Sequence, residues 1–98
     1  MIPGQQPGQI LIEGGRSYYY TFQNFTNVTG QWITSNCNEI AFWNVGTTTA
    51  TINNVVVLSP QDYLSLNGNV DEIDKTQYTC AFSGSGQSNV IVIKKTYL

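Results

Sequence analysis

The sequence predicts an all-β domain: a single small antiparallel β-sandwich, jelly-roll or immunoglobulin-like, of six to eight short strands. Three observations point there. Val, Ile and Thr supply 28 of the 98 residues, and these β-branched side chains suit a pleated sheet better than a helix. Nine Gly and ten Asn provide the turn residues that tolerate positive φ. Segments with strand character recur at roughly 8–12-residue spacing, the rhythm of a sandwich or barrel. Helix formers are scarce, with three Ala and five Leu. No stretch has room for a crossover helix, so a parallel sheet is excluded.

The elements follow in order. Residues 1–9 hold Pro3-Gly4 and Pro7-Gly8 with Gln between; they read as an arm or a frayed terminus ahead of a single domain, 10–98. Ile10–Glu13 is a short strand stopped by Gly14-Gly15. Ser17–Phe22 is a strand with Tyr18, Tyr20 and Phe22 on one face and Ser17, Tyr19 and Thr21 on the other. One of these faces must be core, so either Tyr19 or its neighbours are left for the surface. Asn24–Gly30 is polar and turn-rich, and Gln31–Ser35 is a short strand with Trp32 and Ile33. Asn38–Val45 is apolar on both faces and therefore central, with Ile40 and Phe42 opposed to Ala41, Trp43 and Val45.

Thr47–Asn53 alternates, with Thr48, Ala50 and Ile52 inward, and Asn53-Asn54 is a turn or bulge. Val55–Leu58 is a short apolar strand ended by Ser59-Pro60, and Tyr63–Leu66 places Leu64 and Leu66 together. Asn67-Gly68-Asn69 is a turn. Thr76–Ser83 points Tyr78, Cys80 and Phe82 inward, Gly84–Ser88 reads as a hairpin tip, and Asn89–Leu98 is the last strand.

Composition restricts function. Ten residues are charged, the net charge is −2, and there is no His. His-dependent catalysis and His-ligated metals are impossible. Arg16, Lys75, Lys94 and Lys95 are the whole cationic inventory, too few for a basic nucleic-acid surface. No apolar run approaches the roughly 18 residues of a membrane helix. The opening MIPGQQPGQI lacks the basic and apolar regions of a signal peptide, so synthesis in a cytoplasm is expected, with no membrane partner.

No set of residues composes an enzyme site. Asp71, Glu72 and Asp74 crowd three carboxylates into four residues, but without the alternating ligands and central Gly of a Ca²⁺ loop; a solvated loop or a single helical turn is expected. Glu13, Glu39 and Asp62 are isolated, so no carboxylate pair for glycoside hydrolysis is evident. Cys37 and Cys80 have no His to act as base; two buried free thiols are expected, with a bridge as the alternative. Gly84-Ser85-Gly86-Gln87-Ser88 lacks the Lys-Ser/Thr of a phosphate loop. Asn24-Phe25-Thr26 and Asn27-Val28-Thr29 match the glycosylation acceptor, as an Asn- and Thr-rich chain does by chance. The candidate functional surface is aromatic: Tyr18, Tyr19, Tyr20, Phe25, Trp32 and Trp43. Tyr and Trp are enriched at protein interfaces, and with Asn and Gln nearby they also stack on sugars, so a glycan is the alternative partner.

The run Phe42-Trp43-Asn44-Val45-Gly46-Thr47-Thr48 is followed by Thr51-Ile52-Asn53, Leu58-Ser59-Pro60, Leu64-Ser65-Leu66, Glu72-Ile73-Asp74, Tyr78 and Phe82. Over about residues 38–98 this succession resembles small all-β structural proteins of bacteriophage virions. One departure is Pro60-Gln61, where such proteins often have Pro-Gly. The resemblance implies a non-enzymatic virion component of the decoration, vertex, head-fibre or connector type, without cofactor. It would assemble with copies of itself or other virion proteins on a capsid or tail lattice. The alternative is a carbohydrate- or receptor-binding β-sandwich. A low-charge surface suits close subunit packing, because few charges need desolvation.

Overall fold

The computed structural model describes residues 10–13, 15–26 and 32–98. The expected N-terminal arm, 1–9, and the Asn27-Val28-Thr29 acceptor lie outside the described residues. All the regular structure described is β: β1 (Ile10–Glu13), β2 (Arg16–Phe25), β3 (Trp32–Thr34), β4 (Glu39–Asn44), β5 (Thr49–Ile52), β6 (Val56–Leu58), β7 (Tyr63–Leu66), β8 (Gln77–Ser83) and β9 (Val90–Tyr97). Two antiparallel sheets form, in the orders β1-β2-β9-β4-β7 and β3-β8-β5-β6. The pairings nest: β2 with β9, β3 with β8, β4 with β7, and β5 with β6. The chain is thus one long hairpin, turned at β5–β6 and rolled across two sheets. That winding is a jelly roll, and it decides against the immunoglobulin-like alternative, whose strands divide differently. Eight strands make the roll, at the upper end of the expected number. β1 is added on the free edge of β2, with Ile10 opposite Tyr19 and Glu13 opposite Arg16.

The core lies between the sheets. Phe42, Ile40, Ile52, Val90 and Val92 have less than 2% of their surface exposed. Phe42 of one sheet meets Tyr78 of the other with ring centroids 5.1 Å apart, and Phe25 stacks on Phe82 at 6.3 Å. These contacts follow from alternation: Ile40 and Phe42, Thr48, Ala50 and Ile52, and Tyr78 and Cys80 all point inward. Leu64, Leu66 and Phe82 pack against this cluster. β4 is central, held by β9 on one side and β7 on the other.

Two expectations are corrected. Gly84–Ser88 is not a hairpin tip: β8 and β9 lie in different sheets, so the segment crosses between them. Gly46 sets the fit of that crossing, since a Cβ there would come within 2.3 Å of the Gln87 carbonyl oxygen and 2.7 Å of the Asn89 nitrogen. The second strand does not stop at Phe22. It continues to Phe25 because Gln23, Asn24 and Phe25 pair with Val92, Ile91 and Val90 of β9. A long, well-formed partner overrides the weak strand preference of Gln and Asn.

Turn chemistry accounts for the β5–β6 tip and the entry to β7. Asn53 and Asn54 both adopt left-handed φ, 52° and 60°, and the Val55 N–H closes the turn on the Ile52 carbonyl. Asn tolerates this region better than other non-Gly residues. Ser59-Pro60-Gln61-Asp62 is a type II turn: Pro supplies the second position, Gln61 has φ 77° at the third, and the Asp62 N–H reaches the Ser59 carbonyl at 2.9 Å. The departure from Pro-Gly therefore leaves the turn intact, with strain on Gln61.

Polar groups at both ends of β4 are satisfied by asparagine. Fully buried Asn44 donates through Nδ2 to the carbonyls of Thr48 at 2.8 Å and Leu58 at 2.9 Å, and its Oδ1 accepts from the Gly46 N–H. Asn38 lies within 3.2 Å of the Asn69, Val70 and Glu72 carbonyls through Nδ2, and its Oδ1 accepts from the Tyr97 N–H.

Asn44→Ala is predicted to lower stability by about 2 kcal/mol or more, because the Thr48 and Leu58 carbonyls lose their amide donor at about 1–3 kcal/mol each, while the Gly46 N–H keeps the Asn89 carbonyl. The midpoint of urea unfolding measures this; a loss within the error of the wild-type value would contradict it. Gln61→Gly should act in the other direction. Relief of about 1–2 kcal/mol of left-handed strain outweighs about 0.5–1 kcal/mol of added chain entropy, and the same measurement should show a small gain.

Candidate functional site

The five-stranded sheet has an inner face on the core and an outer face on solvent. On β2 the outer residues are Tyr18, Tyr20 and Phe22. Register places Tyr18 opposite Tyr97, Tyr20 opposite Lys95 and Phe22 opposite Ile93. The rows continue across β4 and β7: Lys95 meets Glu39, Ile93 meets Ala41, and Trp43 lies between Ile91 and Tyr63. The result is a continuous aromatic and aliphatic surface. Phe22 is 55% exposed and Tyr63 57%, while Tyr18, Tyr20, Tyr97, Ile91 and Ile93 are half-buried against one another.

The rings hold each other in place. Tyr18 meets Tyr20 edge-on at 5.8 Å and Tyr97 at 5.7 Å, and Tyr20 approaches Phe22 at 6.3 Å. Lys95 is buried beneath them, with Nζ 4.4 Å from the Tyr18 centroid and 4.9 Å from that of Tyr97. A cation over aromatic faces is attracted by the ring quadrupole. The long lysine stem also fills the space between the strands.

The six aromatic candidates therefore do not form one patch. Tyr18, Tyr20 and Trp43 share the outer face. Tyr19 projects from the opposite face of β2, as alternation requires. Phe25 is corrected from surface to core: it is 6% exposed and stacked on Phe82, because β2 runs far enough to bring it between the sheets. Trp32 stands on β3 in the other sheet, 61% exposed, at a cleft also lined by Gln23, Thr34 and Lys94. The residues missing from the expected surface are Phe22, Tyr63, Ile91, Ile93 and Tyr97. For Phe22, Ile91, Ile93 and Tyr97 the signal was the period-2 alternation of β2 and β9, and for Tyr63 that of β7, but only the cross-strand register shows that the outward rows adjoin.

The acidic residues divide into separate roles. Asp71 is exposed, and Glu72 accepts the Asn69 N–H at 3.0 Å, closing a turn. Asp74 is half-buried and pairs its backbone with Cys37. Its carboxylate accepts from the Tyr78 hydroxyl at 2.6 Å, the Thr76 N–H at 2.8 Å and the Ser35 hydroxyl at 3.1 Å. Burial alone would raise its pKa, but these donors outweigh it and hold the carboxyl below its ordinary value. The same pair, together with burial, pushes Tyr78 up to about 12. Among the described residues no three His, Cys, Asp or Glu side chains gather to hold a metal. Cys37 and Cys80 are buried free thiols, each raised to about 11 chiefly by desolvation, which leaves little thiolate for chemistry. Among the described residues no helix is long and apolar enough to cross a membrane.

No protein-family model and no curated protein matches the chain. Among solved structures it is similar to a candidate mannose-6-phosphate isomerase from Ralstonia eutropha JMP134, at 14% identity and TM-score 0.45 over 95% of this chain and 88% of that one. It is also similar to a cupin-2 domain containing protein from Shewanella frigidimarina NCIMB 400, at 7% identity and TM-score 0.42 over 95% and 83%.

Asp74→Asn tests the carboxylate's structural role. A depressed carboxyl stabilises the fold above its unfolded value, near about 3.9, and that contribution disappears as pH falls through the folded value. The variant should be less stable than wild type at pH 7 by about 1–3 kcal/mol. The deficit should narrow below about pH 4. Thermal melts across pH would show this, and a deficit constant with pH would contradict the assignment.

Proposed function

We propose that the protein is a non-enzymatic structural subunit of a phage particle, assembling through the outer face of its five-stranded sheet with copies of itself or companion virion proteins. The observation that carries this reading is the continuous surface of Tyr18, Tyr20, Phe22, Trp43, Tyr63 and Ile93. The four strands that carry it, at about 4.8 Å each, and an eight-residue ladder at about 3.3 Å per residue give a face on the order of 500 Å². A face of that extent lined largely by rings and aliphatic side chains is of the kind that marks interaction sites, and a standard interface takes about 800 Å² per partner. On β2, β4, β7 and β9 the charges of this face are Arg16, Lys95 and Glu39, with Lys95 opposite Glu39. Three charges on so wide a face, two of them opposite each other, leave little desolvation to oppose contact.

The resemblance of residues 38–98 to phage structural proteins supports the same reading. So does the charge-free stretch from Ile40 to Gln61, which supplies most of β4, β5 and β6. Assembly would add burial that a chain of this size lacks alone.

The test is light scattering after size exclusion, with co-sedimentation on particles from the encoding phage. Wild type is expected to self-associate or to travel with particles. Phe22→Lys with Tyr63→Lys, both at exposed positions, should abolish either behaviour while the fold, read by circular dichroism, is kept. Interface anchors of this type cost about 2 kcal/mol or more each when removed. A wild-type protein that stays monomeric and never accompanies particles would refute the proposal.

A further inference from the structure

We propose that the cleft beneath Trp32 binds a neutral saccharide. The proposal is independent of the assembly reading, since it uses a different surface and a different sheet edge. The cleft, about 670 Å³, opens where β2 and β9 of one sheet meet β3 of the other. That volume lies in the range of about 300–1,000 Å³ common to ligand sites. Phe25 and Ile33, both buried core residues, supply its apolar lining. Trp32 also lines it and is 61% exposed.

Apart from Lys94 the polar lining is uncharged and includes planar amides. Gln23, in phase with the inward Phe25, offers a carbonyl acceptor and an amide donor pair, and Asn24 lines the cleft beside it. Thr26 and Thr34 offer hydroxyls that donate or accept. Among the described residues of this lining Lys94 is the one cation and there is no carboxylate; the Lys94 Nζ donates to the Thr34 carbonyl, which ties β9 to β3 across the cleft.

This set of groups selects its ligand. A sugar ring has one face of C–H groups and a rim of hydroxyls. The indole takes the face, an amphipathic contact of the kind Trp makes best. Amides take the rim, because vicinal hydroxyls present a donor and an acceptor at the spacing of a carboxamide. A nucleic acid strand would require more cations along its backbone. A wholly apolar ligand would leave the amides and hydroxyls desolvated and unpaired, which is costly. An anionic ligand would compete for Lys94 with the carbonyl that it already serves.

The experiment places Trp32 as sole indole by Trp43→Phe and follows its emission during titration with neutral trisaccharides of glucose, mannose, galactose and N-acetylglucosamine. Sialyllactose and inorganic phosphate serve as anionic controls. Saturable change with at least one neutral trisaccharide at up to millimolar concentration is expected. Calorimetry on otherwise wild-type protein should show roughly tenfold or greater weakening with Trp32→Ala and with Gln23→Ala. Both variants should keep the wild-type circular dichroism. Three results would each overturn the proposal: no neutral trisaccharide binds, binding survives Trp32→Ala, or only the anionic controls bind. The mass measured for the assembly test is a separate readout, so either idea can fail without the other.

Discussion

The fold depends on satisfying the backbone where the chain changes sheets. A jelly roll sends nearly every connection from one sheet to the other, and each crossing turns carbonyls and N–H groups away from the ladders that would pair them. Buried and unpaired, such groups are costly. In this protein the amides of Asn38 and Asn44 answer that need at the two ends of β4. Asn44 gathers the start of β5 and the end of β6; Asn38 gathers the segment after β7 and the end of β9. Both are short, neutral and able to donate and accept at once, and a charged side chain in either place would add a desolvation cost without adding partners. Ser35 and Asp74 repeat the arrangement beside β3, and Asn53 does so at the β5–β6 tip, where its Oδ1 accepts the Thr79 N–H at 2.7 Å.

Much of the architecture was legible because alternation is a local property. The inward sets Ile40–Phe42, Ala50–Ile52 and Tyr78–Cys80 follow from the period of two, and β4 announces its central place by being apolar on both faces. Sheet membership was not legible. Gly84–Ser88 has the composition of a hairpin tip, and nothing within those residues reports that β8 pairs with β3 and β5 while β9 pairs with β2 and β4. Phe25 was misplaced for the same reason: its burial is decided by Val90, 65 positions away. The structural use of Asp74 was equally hidden. In sequence it is one of three neighbouring acids, and only the fold brings Ser35 and Tyr78 to it.

The candidate surface shows the same division between local and distant information. Tyr18, Tyr20 and Phe22 declare a shared face, but a shared face can be core or solvent. What sends it outward is competition within β2 and β9: Val90, Val92 and Phe25 claim the interior, and their phase fixes every other residue on those strands. A slip of one residue would put Tyr18, Tyr20 and Phe22 inside and Val92 outside. The wide outer surface is thus a consequence of core packing, and the tyrosines and Lys95 are the residues that let an aromatic face remain in water.

Few of the ionisable groups are positioned for a reaction. Asp74 is held charged by hydrogen-bond donors, Glu72 and Asp62 close turns, and both thiols are kept protonated by burial. A reactive pair needs two titratable groups whose environments push them toward each other's working range. For Asp74 and the two thiols the surroundings push the other way, toward fixed protonation. What the molecule presents to its surroundings is shape, rings and neutral amides. Groups of that kind make contacts through area and hydrogen-bond pattern more than through charge.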